Sequence, residues 1–320
     1  KTVFSKAQTI VVENIRKTLL NLGFPESIKY QETSRTPPEI DCCLNDLPNN
    51  DFNMTFKCAT SFKENLKMDV KGRCFVSGVP GSFYSRLFPS KSLHFVLPLH
   101  FVHLACSIHW LSKVPEGLED NKKNVYIRNP WPLSVSKSYL DPFQNDFSLF
   151  LKMRSEEVVS NGRMVLIFIG RNASDPLYRE SCHYWSLLAD SLLDLVSEGI
   201  VKESDVDSFN LPFYDAGEEE VREILQKEGS FEINIIETHE HLVPYKDSEE
   251  DDDETCRLKF GEMMASRKRF ITVTMLVAHF GDAIIDRLFE KYAHNAAKYY
   301  IAARSCNKTT VNFVVSLSRK

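Results

Sequence analysis

Residues Arg163 to Gly170 (RMVLIFIG) form an apolar run that is broken only at its first residue and closes on a glycine. No polar residue alternates with the apolar ones, so neither face of such a strand suits water. A run of this kind predicts a strand buried on both faces, as in a parallel α/β sheet. Two shorter apolar runs precede it. Glu39 to Leu44 (EIDCCL) leads into Asn45-Asp46-Leu47-Pro48, and Arg73 to Val79 (RCFVSGV) is broken by Pro80-Gly81. Helical stretches lie between the runs. Thr9 to Leu22 places Ile10, Val11, Ile15, Leu19 and Leu20 on one face before Gly23 and Pro25 stop it, and Asp51 to Leu66 reads as a second helix. Val125 to Ile127 reads as a third short strand, and Ser134 to Val159 as a long helix interrupted or kinked near Pro142.

Strands alternating with helices up to about residue 170 predict a parallel α/β sheet. Further on, Tyr184 to Val196 and Glu218 to Glu228, closed by Gly229, read as helices. Glu262 to Asn295 is mostly helical, while Ser230 to Ile236 and Thr310 to Leu317 read as strands. Helices dominate residues 171–300, which predicts a helical lid over the sheet. Asp247 to Glu254 (DSEEDDDE) reads as a solvated acidic loop.

Composition removes several classes. A formal net charge of −5 disfavours a sequence-independent phosphate binder, so no nucleic-acid partner is expected. The eight cysteines show no CxxC pair or zinc-ligand spacing, which reads as reduced, mostly buried thiols in an intracellular, cytoplasmic protein. The densest apolar candidate for a membrane span, Leu93 to Leu111, carries four histidines and Pro98. No membrane partner is therefore expected. The chain shows no signal peptide and opens on Lys1 rather than Met, so the natural N-terminus is expected upstream. GxSxG, Walker-type and HExxH motifs are all missing, so hydrolase, phosphotransferase and metalloprotease chemistries have nothing to stand on.

Four short segments can carry chemistry. Ligands of open α/β sheets bind outside the carboxyl ends of the strands. Asp46, just past the first strand, suits a ribose diol there, although an acidic residue at that place also caps loops. In Gly78-Val79-Pro80-Gly81-Ser82-Phe83-Tyr84, Ser82 can donate a hydrogen bond and Phe83 can stack on a flat ring; an ordinary turn has the same composition. In Ser107-Ile108-His109-Trp110, neighbouring imidazole and indole N–H groups can hold the two oxygens of one carboxylate, or can pack as core. Asp207-Ser208-Phe209-Asn210 offers oxygens suited to Mg²⁺, or a helix cap. His94, His100, His103 and His109, and the pair His239 and His241, are weak metal candidates.

Taken together, LNDLPNNDFN (44–53), FVSGVPGSFYSRLFPSKSLHF (75–95), SIHWLSKVPEGLE (107–119), NKKNVY (121–126), DFSLFLKMRSEEVVSNGRMVLIFIGR (146–171), VDSFNLPFY (206–214), EEVREILQKEGSFEI (219–233) and VAHFGDAIIDRLFEKY (277–292) resemble the plant SABATH methyltransferases. These are the salicylate, benzoate, jasmonate and indole-acetate carboxyl methyltransferases, with an N-methylating branch that includes caffeine synthase. The resemblance covers nearly all of the chain, in order. It implies a Rossmann-like S-adenosylmethionine-dependent methyltransferase sheet with a helical cap, a homodimer, and methyl-ester formation on a small carboxylic acid. Residues 1–170 would form the cofactor-binding core, with 86–123 near the substrate pocket, 171–308 the cap with interleaved core strands, and 309–320 a last core strand. By motif match, Asp46 and Leu47 would hold the ribose, and Ser82 and Phe83 the adenine. His109, Trp110 and the residue at Cys106 would line the acceptor site. Asn121, Asp207, Phe209 (through its carbonyl) and Asn210 would hold Mg²⁺.

The chain departs from the family pattern twice. The family's strand ending in DLGCSSGPNT, whose Gly-rich loop carries the methionine end of the cofactor, has no match. By the resemblance the chain would open at or just past that loop, with Ala7-Gln8-Thr9 at the place of Pro-Asn-Thr. The stretch SLHFVLPLHFVHLACSIHW is about six residues longer than the family's SLHFVHSSYSLHW and puts Cys106 where a tyrosine usually lines the pocket. These departures imply weak cofactor binding and raise the alternative of an inactive paralogue kept as a dimer partner or small-acid binder. N-methylation of a xanthine or pyridine ring is a further alternative.

Overall fold

The computed structural model describes residues 39–49, 52–53, 56–57, 74–97, 108–128, 133–172, 180–242, 253–305 and 309–320. The predicted helix over 9–22, most of that over 51–66, most of the acidic run and the 98–107 stretch with Cys106 lie outside the described residues. Two compact units divide the chain: Lys1–Phe95 with Leu149–Gly162, and Val96–Ser148 with Arg163–Lys320.

In the first unit, β1 (Ile40–Asp46) and β2 (Cys74–Pro80) pair in parallel, in register from Ile40 opposite Cys74 to Asp46 opposite Pro80. β1 runs past the predicted end at Leu44. The Asn45 side-chain amide donates to the carbonyls of Val79 at 2.8 Å and Gly81 at 2.9 Å, so a polar residue continues the pairing. Gly78 is required by packing, because a Cβ there would sit 2.8 Å from the Phe56 ring and 2.9 Å from Phe52. The short β3 (Leu93–Val96) follows.

β4 (Val158–Arg171) contains the apolar run read first in the sequence, and it runs from the first unit into the second. It pairs antiparallel with β7 (Thr309–Arg319), from Arg163 opposite Ser318 to Gly170 opposite Val311. It also pairs in parallel with β5 (Ala216–Gly217), a two-residue strand. The strand thus has a parallel neighbour, as predicted, and an antiparallel one in β7 that the sequence did not indicate. The sheet order is β3-β4-β7-β6, where β6 is Phe231–Leu242, so β4 is an inner strand. Met164, Val165, Leu166 and Phe168 are buried. The apolar run reports coverage of both faces, which an inner antiparallel strand can share, and carries no information on direction.

Val125 to Ile127 is not a strand. All three side chains are buried, but the backbone bends, and the Val125 carbonyl accepts the Leu211 N–H at 2.8 Å instead of joining a ladder. The helices are α1 (Leu133–Glu157), α2 (Glu180–Ser197), α3 (Glu203–Ser208), α4 (Glu218–Glu228), α5 (Asp253–Phe280) and α6 (Ile285–Ser305). α1 continues through Pro142 rather than stopping there. α4 ends as predicted at Gly229, whose φ of 79° is the left-handed value that favours glycine. Among the described residues, no helix is long and apolar enough to cross a membrane. Cys182 and Cys256 are buried, whereas Cys43 is exposed, so among the described residues burial of the cysteines is only partial.

Candidate active site

The first-unit candidates gather at the carboxyl ends of β1 and β2. The Gly81 N–H donates to the Asp46 carbonyl at 2.9 Å, which joins the loop after β2 to the last residue of β1. Asp46 Oδ1 accepts the Leu47 N–H at 2.8 Å, and Leu47 itself is exposed. Ser82 Oγ accepts the Tyr84 N–H at 3.3 Å. The Phe83 ring lies 4.3 Å from Tyr84 and 6.0 Å from Phe150. A carboxylate, a hydroxyl and an aromatic face are thus grouped beside adjacent parallel strand ends, which fits a nucleoside.

A buried ion pair that sequence reading missed holds this loop. Arg154 and Glu157, one turn apart at the end of α1, have side chains 3% and 0% exposed. Glu157 Oε1 accepts the N–H groups of Leu87 at 2.6 Å and Phe88 at 3.0 Å. Arg154 donates to the carbonyls of Phe83 at 3.2 Å and Ser85 at 2.9 Å, and to Glu157 Oε1 at 3.0 Å. Its Nε lies 2.8 Å from Glu157 Oε2, close enough for charge attraction but too poorly aligned for a hydrogen bond. Burial lowers the Arg154 pKa from its ordinary value, and Glu157 pushes it back up. The signal was present in the sequence as an Arg and a Glu three apart on a helix otherwise rich in apolar residues.

In the second unit, His109 is 2% exposed. The segment 109–111 is zipped to 212–214. Tyr214 N–H donates to the His109 carbonyl at 2.7 Å, Leu111 N–H donates to the Pro212 carbonyl at 2.8 Å, and Trp110 bridges Phe213 antiparallel. Beyond it, Asp146 of α1 accepts the Ser112 N–H at 2.7 Å and the Ser112 hydroxyl at 2.8 Å. The Phe213 ring lies 5.2 Å from His109 and 5.4 Å from Trp110, and Trp185 of α2 lies 6.3 Å from Trp110. His109 Nδ1 accepts the Ile169 N–H at 3.4 Å. In a neutral imidazole that acceptor role puts the proton on Nε2, which becomes the donor. Phe213, Trp185 and Asp146 were not singled out from sequence, because ring contacts and a cap supplied from a distant helix leave no local pattern.

The metal candidates are also grouped within this unit. Asn121 Nδ2 donates to Asn210 Oδ1 at 2.7 Å, and Asp207 Oδ1 accepts the Lys123 N–H at 2.8 Å. α3 ends at Ser208, with Phe209 at its C-cap. The donor set is all oxygen with one carboxylate, which suits a hard cation, although Asn210 Oδ1 is already engaged. The sole carboxylate limits charge, and no group of three His, Cys, Asp or Glu side chains that could hold a metal occurs among the described residues. The weak histidine candidates do not gather: His94 is exposed, His239 pairs with Glu237 at 2.9 Å, and His100 and His103 lie outside the described residues.

Grouped strand-end polar residues and a buried, tautomer-fixed imidazole beside an indole are the parts a carboxyl-methylating enzyme needs, and comparison with known proteins agrees. The description "SAM dependent carboxyl methyltransferase" matches residues 26–320, and the chain belongs to that family. It is therefore, by family, an S-adenosylmethionine-dependent carboxyl methyltransferase with the α/β fold of that class. It is 48% identical to a salicylate/benzoate carboxyl methyltransferase of Arabidopsis thaliana, over all of this chain and 88% of the relative. It is 43% identical to a probable jasmonic acid carboxyl methyltransferase of Theobroma cacao, over 89% of this chain and 77% of the relative. The solved structure of loganic acid methyltransferase with SAH is 32% identical, covers 92% of this chain and 78% of its own, and superposes with a TM-score of 0.75. The Arabidopsis match spans 347 positions against 320 residues here, so at least 27 positions inside the matched span have no counterpart in this chain.

Proposed function

We propose that this chain esterifies a small aromatic acid, with His109 and Trp110 as the two donors that hold the acceptor carboxylate. The observation that carries this reading is the Ile169 N–H on His109 Nδ1, which leaves Nε2–H as a donor on a residue zipped to the 212–214 strand. Trp110, Phe213 and Trp185 supply flat apolar faces, which favours a ring-bearing acid over a long chain. A carboxylic acid with a pKa of about 4 is ionised at neutral pH, so the residues need not remove a proton. Their work is to orient one oxygen and exclude water, since reaction requires the two atoms to approach to about 3 Å. S-adenosylmethionine, when bound, would supply a sulfonium methyl whose S–CH₃ bond breaks, with the thioether as leaving group, as the new O–CH₃ bond forms. Asp46 and Leu47 would hold its ribose and Ser82 and Phe83 its adenine.

The same reading puts Cys106 at the acceptor site and Mg²⁺ at Asn121, Asp207, Phe209 and Asn210, with the cation replacing the Asn121–Asn210 hydrogen bond. It takes the protein as a cytoplasmic homodimer, with residues 1–170 as the cofactor core and 171–308 as the cap. The test is transfer of labelled methyl from S-adenosylmethionine to benzoate, salicylate, jasmonate and loganate by the full chain and by His109→Ala. Ester formation with the ring acids, reduced about 100-fold in the variant, is expected. A folded chain that esterifies none of them overturns the proposal. One observation favours a second reading, a chain that binds acid but transfers no methyl. No stretch of this sequence matches the family's Gly-rich loop. Calorimetry with S-adenosylhomocysteine separates the two, because micromolar binding removes the second.

A further inference from the structure

Lys268 lies on α5, and its ammonium nitrogen is 3.7 Å from the centroid of the Trp185 indole and 5.4 Å from the Tyr184 ring. Trp185 in turn meets Trp110 at 6.3 Å and Phe213 at 5.4 Å, both edge-on, and Phe213 meets His109 at 5.2 Å. A continuous set of ring contacts within one unit thus links the ammonium to the two donors assigned to the acceptor carboxylate. Lys268 has no carboxylate or hydrogen-bond partner for its ammonium among the described residues. The charge that acts on it, Arg267, has the same sign. Burial, and secondarily Arg267, lowers its pKa to about 7. The residue keeps part of its surface exposed, and its ammonium nitrogen is not among the fully buried polar atoms that lack a partner, so it stays accessible.

A lysine in this state suits an anion that arrives with the ligand. That anion is a poor match for the reacting carboxylate. Methyl transfer from a sulfonium to a carboxylate consumes both charges, so an ammonium beside the reacting oxygens would stabilise the ground state more than the transition state and slow the step. Two neutral N–H donors at that end, with the ammonium at the far side of the ring stack, avoid this.

We propose that Lys268 is a specificity-determining residue that recognises a second anionic group on the acceptor, so that aromatic dicarboxylates, converted to half-esters, are preferred over the corresponding monoacids. This rests on the carboxyl-methylating reading above. The test compares benzoate with isophthalate and terephthalate, using the full chain, Lys268→Met and Lys268→Arg. Two readouts are taken: steady-state methyl transfer, and quenching of tryptophan fluorescence by each acid without the methyl donor. The expected result is a diacid-to-monoacid ratio of kcat/KM that falls at least about tenfold in Lys268→Met, through KM for the diacid, and is kept in Lys268→Arg. A ratio unchanged within about twofold in Lys268→Met overturns the inference, even if monoacids are esterified normally. Diacid binding that depends on Lys268, with no turnover of any acid, supports the inference while overturning the proposed function.

Discussion

Replacing Glu157 by Gln tests the anchor of the loop that carries Ser82 and Phe83. The carboxylate has two oxygens. One accepts the Leu87 and Phe88 N–H groups and an Arg154 N–H, and the other faces Arg154 Nε. An amide has a single oxygen. Whichever way it turns, either the two backbone N–H groups lose their acceptor or an NH₂ group points at the guanidinium. Breaking a fully buried pair by removing one charge costs about 3–5 kcal/mol, and the retained oxygen recovers part of this, leaving about 2–3 kcal/mol. Local opening of the loop should become about 30- to 150-fold more frequent at that cost. Hydrogen exchange of a peptide covering 83–90 reads it directly, with exchange of β7 as the internal control. Exchange at Leu87 and Phe88 that rises less than about threefold would refute the argument that this pair fixes the loop.

A Cβ at Gly170 would lie 2.2 Å from the buried Phe313 ring, so Gly170→Ala should destabilise by about 1–3 kcal/mol in denaturant unfolding. Asp146→Ala removes both bonds to Ser112 and should lower kcat/KM about tenfold, mostly in kcat, while Asp146→Asn, which can still accept from the Ser112 N–H, recovers part of the loss. Lys268→Met should raise stability in a pH-dependent way. The folded pKa of about 7 lies below the ordinary 10.5, so the unfolded chain binds more protons between those values and the native protein gains stability as pH rises through them. The benefit of the substitution should accordingly be largest below pH 7, by about 1 kcal/mol or more, and vanish towards pH 10, as followed by thermal unfolding at pH 6 and 9.

Much of the architecture was legible because burial writes itself into apolar runs. EIDCCL, RCFVSGV and RMVLIFIG all became strands, and Glu218 to Glu228 ended where its glycine demanded. Strand direction was legible only in part: β1 and β2 pair in parallel as expected, but the antiparallel return of β7 against β4 was not foreseen. Whether β4 meets a parallel or an antiparallel neighbour depends on where β7 returns, more than 130 residues later. Val125 to Ile127 shows the opposite failure, in which buried apolar side chains were taken for a strand although the backbone bonds elsewhere. At the site, adjacency on the chain made His109 and Trp110 readable as a pair. Their supports could not be read the same way. Ile169, Asp146, Trp185 and Phe213 come from separate elements, and Arg154 with Glu157 serves a loop about 70 residues away.

The division of the chain also bears on how it can be dissected. The first unit is made of two stretches, Lys1–Phe95 and Leu149–Gly162, and α1 and β4 each cross its boundary. A fragment cut after Phe95 would keep both parallel strands and the turn that carries Ser82 and Phe83 but lose Arg154 and Glu157, stranding the amides of Leu87 and Phe88 and the carbonyls of Phe83 and Ser85. Excision at a sequence boundary would therefore yield a piece that is intact in motif and unmoored in practice, and domain-swap or split-protein designs on this scaffold need to carry the end of α1 along with the N-terminal segment.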